Sequence, residues 1–521
     1  MYLKKTCQFF YQLAVILAVS QQSFAFSKKP VTPTAYYLST SGNDNNRGTK
    51  SSPWKTISKL NNIHLNKGDS VLFNGGETFT GSIVIDSTSG TKNQPVIVAS
   101  YGNGRALIDA GNETALTINN AACIQIRNLN FKGNGRKDGN TKNGIVIFKG
   151  TDILLNNLDI EGFQKSGLLV YVSSGVRATR INAHDNGFAG ISVSGEQSKM
   201  DCNNIYIGYC NAENNPGDPT NFDNHSGNGI IAGLCKNVAI EYCTATNNGW
   251  DMPRIGNGPV GIWCYEADSV IIQHCISYSN KTSPGAADGG GFDLDGGVTN
   301  SVIQYCLSYE NHGSGFGLFQ YAGASNWYNN TIRYCISEND GSVSAAHTGI
   351  FIWNSSRDTA QLKNCFIYNN TIYNETGAAI SYEKESEHSG FYFYNNIFVA
   401  KDELTTGKQM TDIFLSNNWW SITNGFNDNG INNFENWVSK TGNEQINNKI
   451  VGVNINPAFV KPGKTNITDP LQLQFFFNYK LPPNSPLKSS GLNLHKLFGI
   501  NTGVQDFNKK VALPGFIGAC N

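Results

Sequence analysis

From residue 144 onward the chain keeps returning to one short pattern, a glycine followed by residues that alternate large apolar with variable. It reads Gly144-Ile-Val-Ile, Gly167-Leu-Leu-Val, Gly190-Ile-Ser-Val, Gly229-Ile-Ile-Ala, Gly261-Ile-Trp-Cys, Gly291-Phe-Asp-Leu, Gly315-Phe-Gly-Leu and Gly349-Ile-Phe-Ile. Alternation with period two predicts a short strand at each glycine, its first residue pointing inward and its second outward. The inward position holds Ile145, Leu168, Ile191, Ile230, Ile262, Phe292, Phe316 and Ile350, all large and apolar. A second pattern runs in phase, Ile-x-(Tyr or His)-Cys, at 207–210, 240–243, 272–275, 303–306 and 332–335. The glycines recur at uneven intervals of 23 to 39 residues, so strand cores are constant while the loops between them vary. Coils that each supply at least two strands, and bury their faces only on neighbouring coils, form a parallel β-helix. The expected fold class is all-β.

Composition agrees. Glycine stands at 55 and proline at 16, as suits many short strands joined by tight turns. Lys plus Arg and Asp plus Glu are 39 each, so the formal charge is zero and neither nucleic acid nor an anionic membrane is an expected partner. Lys4 and Lys5 precede an apolar run from Leu13 to Val19, and Ser23-Phe24-Ala25 is a small-x-small cleavage site, which predicts a signal peptide over residues 1–25. The run is too short to span a bilayer. The expected mature protein is a monomer that is secreted, periplasmic or at the cell surface. Residues 34–120 read as an N-terminal cap with the first coils and 121–400 as the β-helix repeats. At 401–521 the repeat fades into a C-terminal coil or covering segment, rich in aromatics such as Trp419, Trp420 and Trp437.

Exported chains commonly oxidise their cysteines. Here five of them fall in one column of the repeat, and ligands in a straight line cannot surround a metal tetrahedrally. A ladder of packed thiols inside the helix is the expectation. Loss of Cys7 with the signal would leave 11 of 12, so at least one thiol is free or intermolecular.

The variable, outward positions carry the candidate chemistry. They are Trp263 and Tyr265 on one coil, Asp293 and Asp295 on the next, Gly317 and Phe319 on the third, Phe351 and Trp353 on the fourth. Two carboxylates one strand-step apart between exposed aromatic platforms suit a sugar-binding groove, with Gly317 leaving a gap beside Asp293. Rings stack on the apolar faces of pyranoses, and carboxyls bind hydroxyls or do acid–base work. The Cα atoms of the pair are expected roughly 6.5–7 Å apart, close to the carboxyl spacings of glycosidases. Turn residues add polar groups: Asp288 and Glu266, His312 as a proton shuttle or hydroxyl ligand, and His347 beside the substrate. His225 and Arg254 stand in longer inserts that could close one end of the groove. Other readings of the acids are solvated surface groups or a calcium site made by Asp288, Asp293 and Asp295. The aromatics could also be covered by a C-terminal segment folding back.

Several stretches bear a family resemblance. Tyr37-Leu-Ser-Thr-Ser-Gly-Asn-Asp-Asn-Asn-Arg-Gly48, Ser52-Pro-Trp-Lys-Thr-Ile57, Gly68-Asp-Ser-Val-Leu-Phe73 and Gly75-Gly-Glu-Thr-Phe79 resemble the N-terminal segment of exported, right-handed parallel β-helix proteins. These belong to the pectate-lyase-like superfamily, the opening being typical of family-nine pectate lyases. Tyr479-Lys-Leu-Pro-Pro-Asn-Ser-Pro486 and Gly515-Phe-Ile-Gly-Ala519 resemble the closing segment. The resemblance implies a right-handed coil but not one activity, because hydrolases, lyases and epimerases share the scaffold. It also implies calcium held by an Asp cluster and a lysine base, and these motifs are not matched. Asn311-His312-Gly313 stands where Asp-Asp-Gly would, and neither Gly315-Phe-Gly-Leu nor Gly349-Ile-Phe-Ile carries the lysine.

Three functions remain at this level. The first is a secreted polysaccharide hydrolase using Asp293 and Asp295, with no cofactor. The second is a calcium-dependent lyase or epimerase on a uronate polymer, and the third a non-catalytic carbohydrate-binding β-helix. Basic residues are sparse around Gly291, with Lys281 in a loop and Arg333 on another strand, which favours the hydrolase.

Overall fold

The computed structural model describes residues 32–197, 199–343, 348–383, 387–407 and 411–521. The expected signal peptide at 1–25 and His347 lie outside them. Within them the strands stack in parallel as a β-helix with three sheets. The first sheet is the glycine pattern. Its inward column runs in unbroken register from Ile145 through Leu168, Ile191, Ile230, Ile262, Phe292 and Phe316 to Ile350 and Ile380. Every member is buried. Each such side chain contributes about 1.5–3 kcal/mol, which makes the stack of coils self-supporting once several are in place.

The Ile-x-Tyr-Cys pattern marks the corner after the second sheet. Tyr209, Tyr242, His274, Tyr305 and Tyr334 take left-handed φ values of 52–58°. That single kink lets the isoleucine before it and the cysteine after it both face the interior. The conformation costs a non-glycine residue roughly 1–2 kcal/mol. It is offset by ring stacking along the column, with centroids 4.9–5.6 Å apart. The five cysteines are buried and free. All five donate Sγ–H to a carbonyl of the preceding coil, as Cys275 does to Ile240 O at 3.6 Å.

Beyond Cys335 this inner column does not stop. It continues as Asn370, Asn396 and Asn417 and ends on the buried carboxylate of Glu444. A second ladder occupies the turn into the first sheet: Asn186, Asn215, Asn248, Asn280 and Asn311, ending on Asp340. From Asn215 onward, each side-chain oxygen in it accepts from the asparagine one coil earlier, while Asn186 Oδ1 accepts from Phe163 N–H. Each amide also donates to a backbone carbonyl, so the buried polar atoms are satisfied. The crowding at this turn explains the recurring glycine. A Cβ on Gly291 would stand 2.2 Å from Ser308 Oγ and 3.0 Å from Asn311 Nδ2.

The coils extend past residue 400, with strands Ile413–Leu415 and Asn418–Ser421 paired to those before them. The helix Phe434–Thr441 then closes the end, its buried Trp437 5.3 Å from Trp419. The remaining tail folds back along the outside of the third sheet. Leu473, Phe476, Tyr479 and Ile517 cover Ile276, Leu307, Ile336 and Tyr373. At the other end the short helix Ile57–Asn61 packs Ile57 and Leu60 against the first coils. No described helix is long and apolar enough to cross a membrane.

Candidate active site

The outward column of the first sheet pairs Ser192, Ile231, Trp263, Asp293, Gly317, Phe351 and Ser381 in register. The alternation expected from sequence is therefore the observed one. The expected exposure is not: Trp263, Asp293, Phe319 and Phe351 are only 3, 2, 7 and 4 % exposed. Walls account for the difference. Residues 216–227, 249–259 and 281–289, which lead into successive strands, rise on one side, and Tyr321 and Glu383 rise on the other. They enclose a cavity of about 640 Å³. Arg136 ties two walls together by bonding Gly217 O and Asp251, and Lys165 pairs with the buried Asp218. The returning tail covers a different sheet and supplies no lining residue.

Of the residues expected at the site, Trp263, Tyr265, Asp288, Asp293, Asp295, Phe319, Phe351 and Trp353 line this cavity. The strand that carries the acids is held from inside, where the buried Trp327 donates Nε1–H to Leu294 O at 2.9 Å. Gly317 leaves no gap beside Asp293. The Phe319 ring lies where a Cβ would be, 2.7 Å away, with Asp293 Oδ1 at 3.0 Å. Tyr265 likewise folds over Gly233.

This enclosure sets the electrostatics. Asp293 Oδ1 is sealed from solvent and has no hydrogen-bond donor. Burial, reinforced by the charges of Asp295 and Asp288, pushes its carboxyl well above the usual range, which favours its protonated form. Burial raises Asp295 to about 7 against a bond from Gly296 N–H, with Asp288 and Glu266 adding to the rise. Burial raises Asp288 to about 6, opposed by a 2.8 Å bond from Gly258 N–H. Three acids in one cavity thus differ in proton affinity, which is the condition for pairing an acid with a base.

Two candidates do not reach the cavity. His312 accepts at Nδ1 from Thr282 N–H, 3.3 Å, and supports the turn before the Asp strand. Glu266 turns away at φ 43°, accepts from Ser325 N–H at 2.8 Å and lies over Gly297. The calcium trio is not assembled either. Atoms bound to one calcium ion at about 2.4 Å lie within about 4.8 Å of one another. Among the described residues the group meeting that limit is Glu161, His184 and Asp185, not Asp288, Asp293 and Asp295. As placed, these three carboxylates do not converge on one calcium ion.

The repeat pattern places His225 only at one end of the groove and does not single out Tyr321 and Glu383. Both of the latter lie within its reach. They stand two positions beyond Phe319 and Ser381, the next outward places of their strands.

No curated protein matches the chain. Among solved structures it resembles GH136 lacto-N-biosidase from Eubacterium ramulus, with 17 % identity and a TM-score of 0.51 over 69 % of this chain and 68 % of that one. It also resembles pectate lyase Pel9A, with 15 % identity and a TM-score of 0.45 over 94 % and 97 %. At such identities the likeness is one of fold. The model for the Pel9A-like, right-handed β-helix region matches residues 36–341, more than half of the sequence. The chain belongs to the Pel9A-like right-handed β-helix family.

Proposed function

We propose that this protein is an exported glycoside hydrolase acting on an uncharged polysaccharide, with Asp293 as proton donor and Asp295 as its carboxylate partner. The observation that carries this reading is the charge of the cavity. Asp288, Asp293, Asp295 and Glu383 line it, and among the described residues no lysine or arginine does. A polyuronate would find ionisable carboxyls and no cation in the lining, whereas a neutral sugar stacks on Trp263 and Trp353. Asp293 gives its proton to the glycosidic oxygen as the C–O bond breaks. The ionised Asp295 stabilises positive charge developing at the anomeric carbon and takes a proton from the water that adds there.

The test incubates the mature protein with neutral and uronate polysaccharides, following new reducing ends together with the absorbance of unsaturated uronate. Reducing ends without absorbance are expected, falling about 10²–10⁴-fold in Asp293→Asn and in Asp295→Asn. Both signals rising together, and dying with chelator, would replace hydrolysis by a calcium-dependent lyase. Binding without turnover would leave a carbohydrate-binding protein.

A further inference from the structure

The mechanism above leaves unused an imidazole in the cavity wall. His225 is 8 % exposed and lines the cavity, its imidazole 5.9 Å from the Phe188 ring and edge-on to Trp263 at 5.0 Å. Its Nδ1 is 3.0 Å from the side-chain amide nitrogen of Asn228, which is completely buried at the start of the strand Asn228–Glu241.

The orientation of that amide is not free. Asn228 Oδ1 accepts from Val260 N–H at 3.2 Å and from Trp263 Nε1–H at 3.1 Å. A backbone N–H and an indole N–H can only donate, so the oxygen must face them. The NH₂ group then faces Phe188 O, 3.2 Å, and His225 Nδ1. Nδ1 therefore receives a hydrogen bond and carries no proton. In the neutral ring the proton sits on Nε2, for which no described group is an acceptor. Burial, with the Arg254 charge second, holds the ring's pKa down at about 4, so it is neutral above that pH.

We propose that His225 presents a neutral Nε2–H donor to a substrate oxygen inside the cavity, and that Asn228 is the positioning residue that holds it in this tautomer. The first half rests on the reading of the cavity as a sugar site. The ring would donate to a hydroxyl, ring or glycosidic oxygen and find no partner in an ammonium group, which offers no lone pair.

The test is ¹⁵N NMR of the mature protein labelled in its histidine rings, with His225 assigned from its loss in His225→Gln. A lone-pair Nδ1 and a protonated Nε2, unchanged down to about pH 5, are expected from the burial of the ring. A proton on Nδ1, or a midpoint near the ordinary histidine value, would overturn the proposal. Asn228→Asp keeps an acceptor for Val260 and Trp263 but turns a second acceptor toward the ring. It should draw the proton to Nδ1 and raise the midpoint by about one pH unit or more. An unmoved spectrum removes the positioning role. If that variant does not fold, the wild-type spectrum decides. On the polysaccharide that yields reducing ends, His225→Phe should raise KM about 10- to 100-fold, with His225→Gln recovering most of the loss. A KM for His225→Phe equal to wild type would overturn substrate contact. Absence of wild-type turnover on every polymer would defeat the hydrolase reading and the contact together, while the NMR arm still judges the tautomer.

Discussion

At the scale of single residues, a buried carboxyl is costly to ionise, most of all Asp293, whose Oδ1 has no donor, and less so Asp295 and Asp288, which each accept a backbone N–H. The consequence is a pH dependence with a definite sign. Hydrolysis needs Asp295 ionised and Asp293 protonated, so kcat/KM should climb through about pH 7, the midpoint of Asp295, before falling at higher pH. An acid limb near 6 would instead mark Asp288 as the working carboxylate. Stability moves the other way. A carboxyl raised in the folded state contributes most below its unfolded value and loses that contribution as pH rises. Asp293→Asn should therefore melt at or above the wild-type temperature at pH 8, with the advantage vanishing near pH 4, as read by calorimetry. A lower melting temperature at pH 8 would count against the enclosed, unpartnered carboxyl.

The same linkage operates along whole ladders. The asparagine column that starts at Asn370 ends on Glu444, whose side chain accepts from Asn417 and from Trp419 Nε1–H at 2.9 Å. Burial outweighs these bonds and lifts the Glu444 carboxyl to about 7. Between pH 4.5 and 7 the wild type should lose up to about 3 kcal/mol that Glu444→Gln does not lose, since one unit of pKa is about 1.4 kcal/mol. Denaturant titrations at both pH values test it, and parallel pH slopes would refute it. The ladders also show why the Ile-x-(Tyr or His)-Cys pattern has its last match at Cys335. The column changes from thiol to amide while its inward place and its left-handed neighbour, Asn369 at φ 52° and Asn395 at φ 53°, stay the same.

Taken whole, the molecule separates the cavity from the covering tail. The tail closes the third sheet and is anchored by the buried Glu338, which accepts from Thr465 N–H, Thr465 Oγ1–H and the Tyr479 hydroxyl. The cavity stands on the first sheet, with no lining residue beyond Glu383. Glu338→Ala should cost about 2–4 kcal/mol of unfolding free energy, because it strands buried donors, yet leave kcat/KM within about twofold. A matching fall in activity would mean that the tail supports the cavity after all. Reductant should not shift the melting temperature, because the described cysteines are free.

What can be read from the chain alone is whatever repeats. The glycines, the inward isoleucines and phenylalanines, the Tyr-Cys corner and the outward placement of Asp293, Asp295, Trp263 and Trp353 follow from a period of two within strands and a recurrence between coils. Both are local rules, so the stack and the face carrying the acids were legible. The enclosure was not. The depth of Asp293 depends on walls from residues 216–227, 249–259 and 281–289, whose lengths and shapes repeat nowhere. It depends equally on Phe319 folding over Gly317. Glu266 and His312 share the neighbourhood of the acids along the chain, yet one left-handed residue and one turn contact point them elsewhere. Register decides which side chains share a face. Only the packed tertiary structure decides which are sealed from water, and hence which carboxyl keeps its proton.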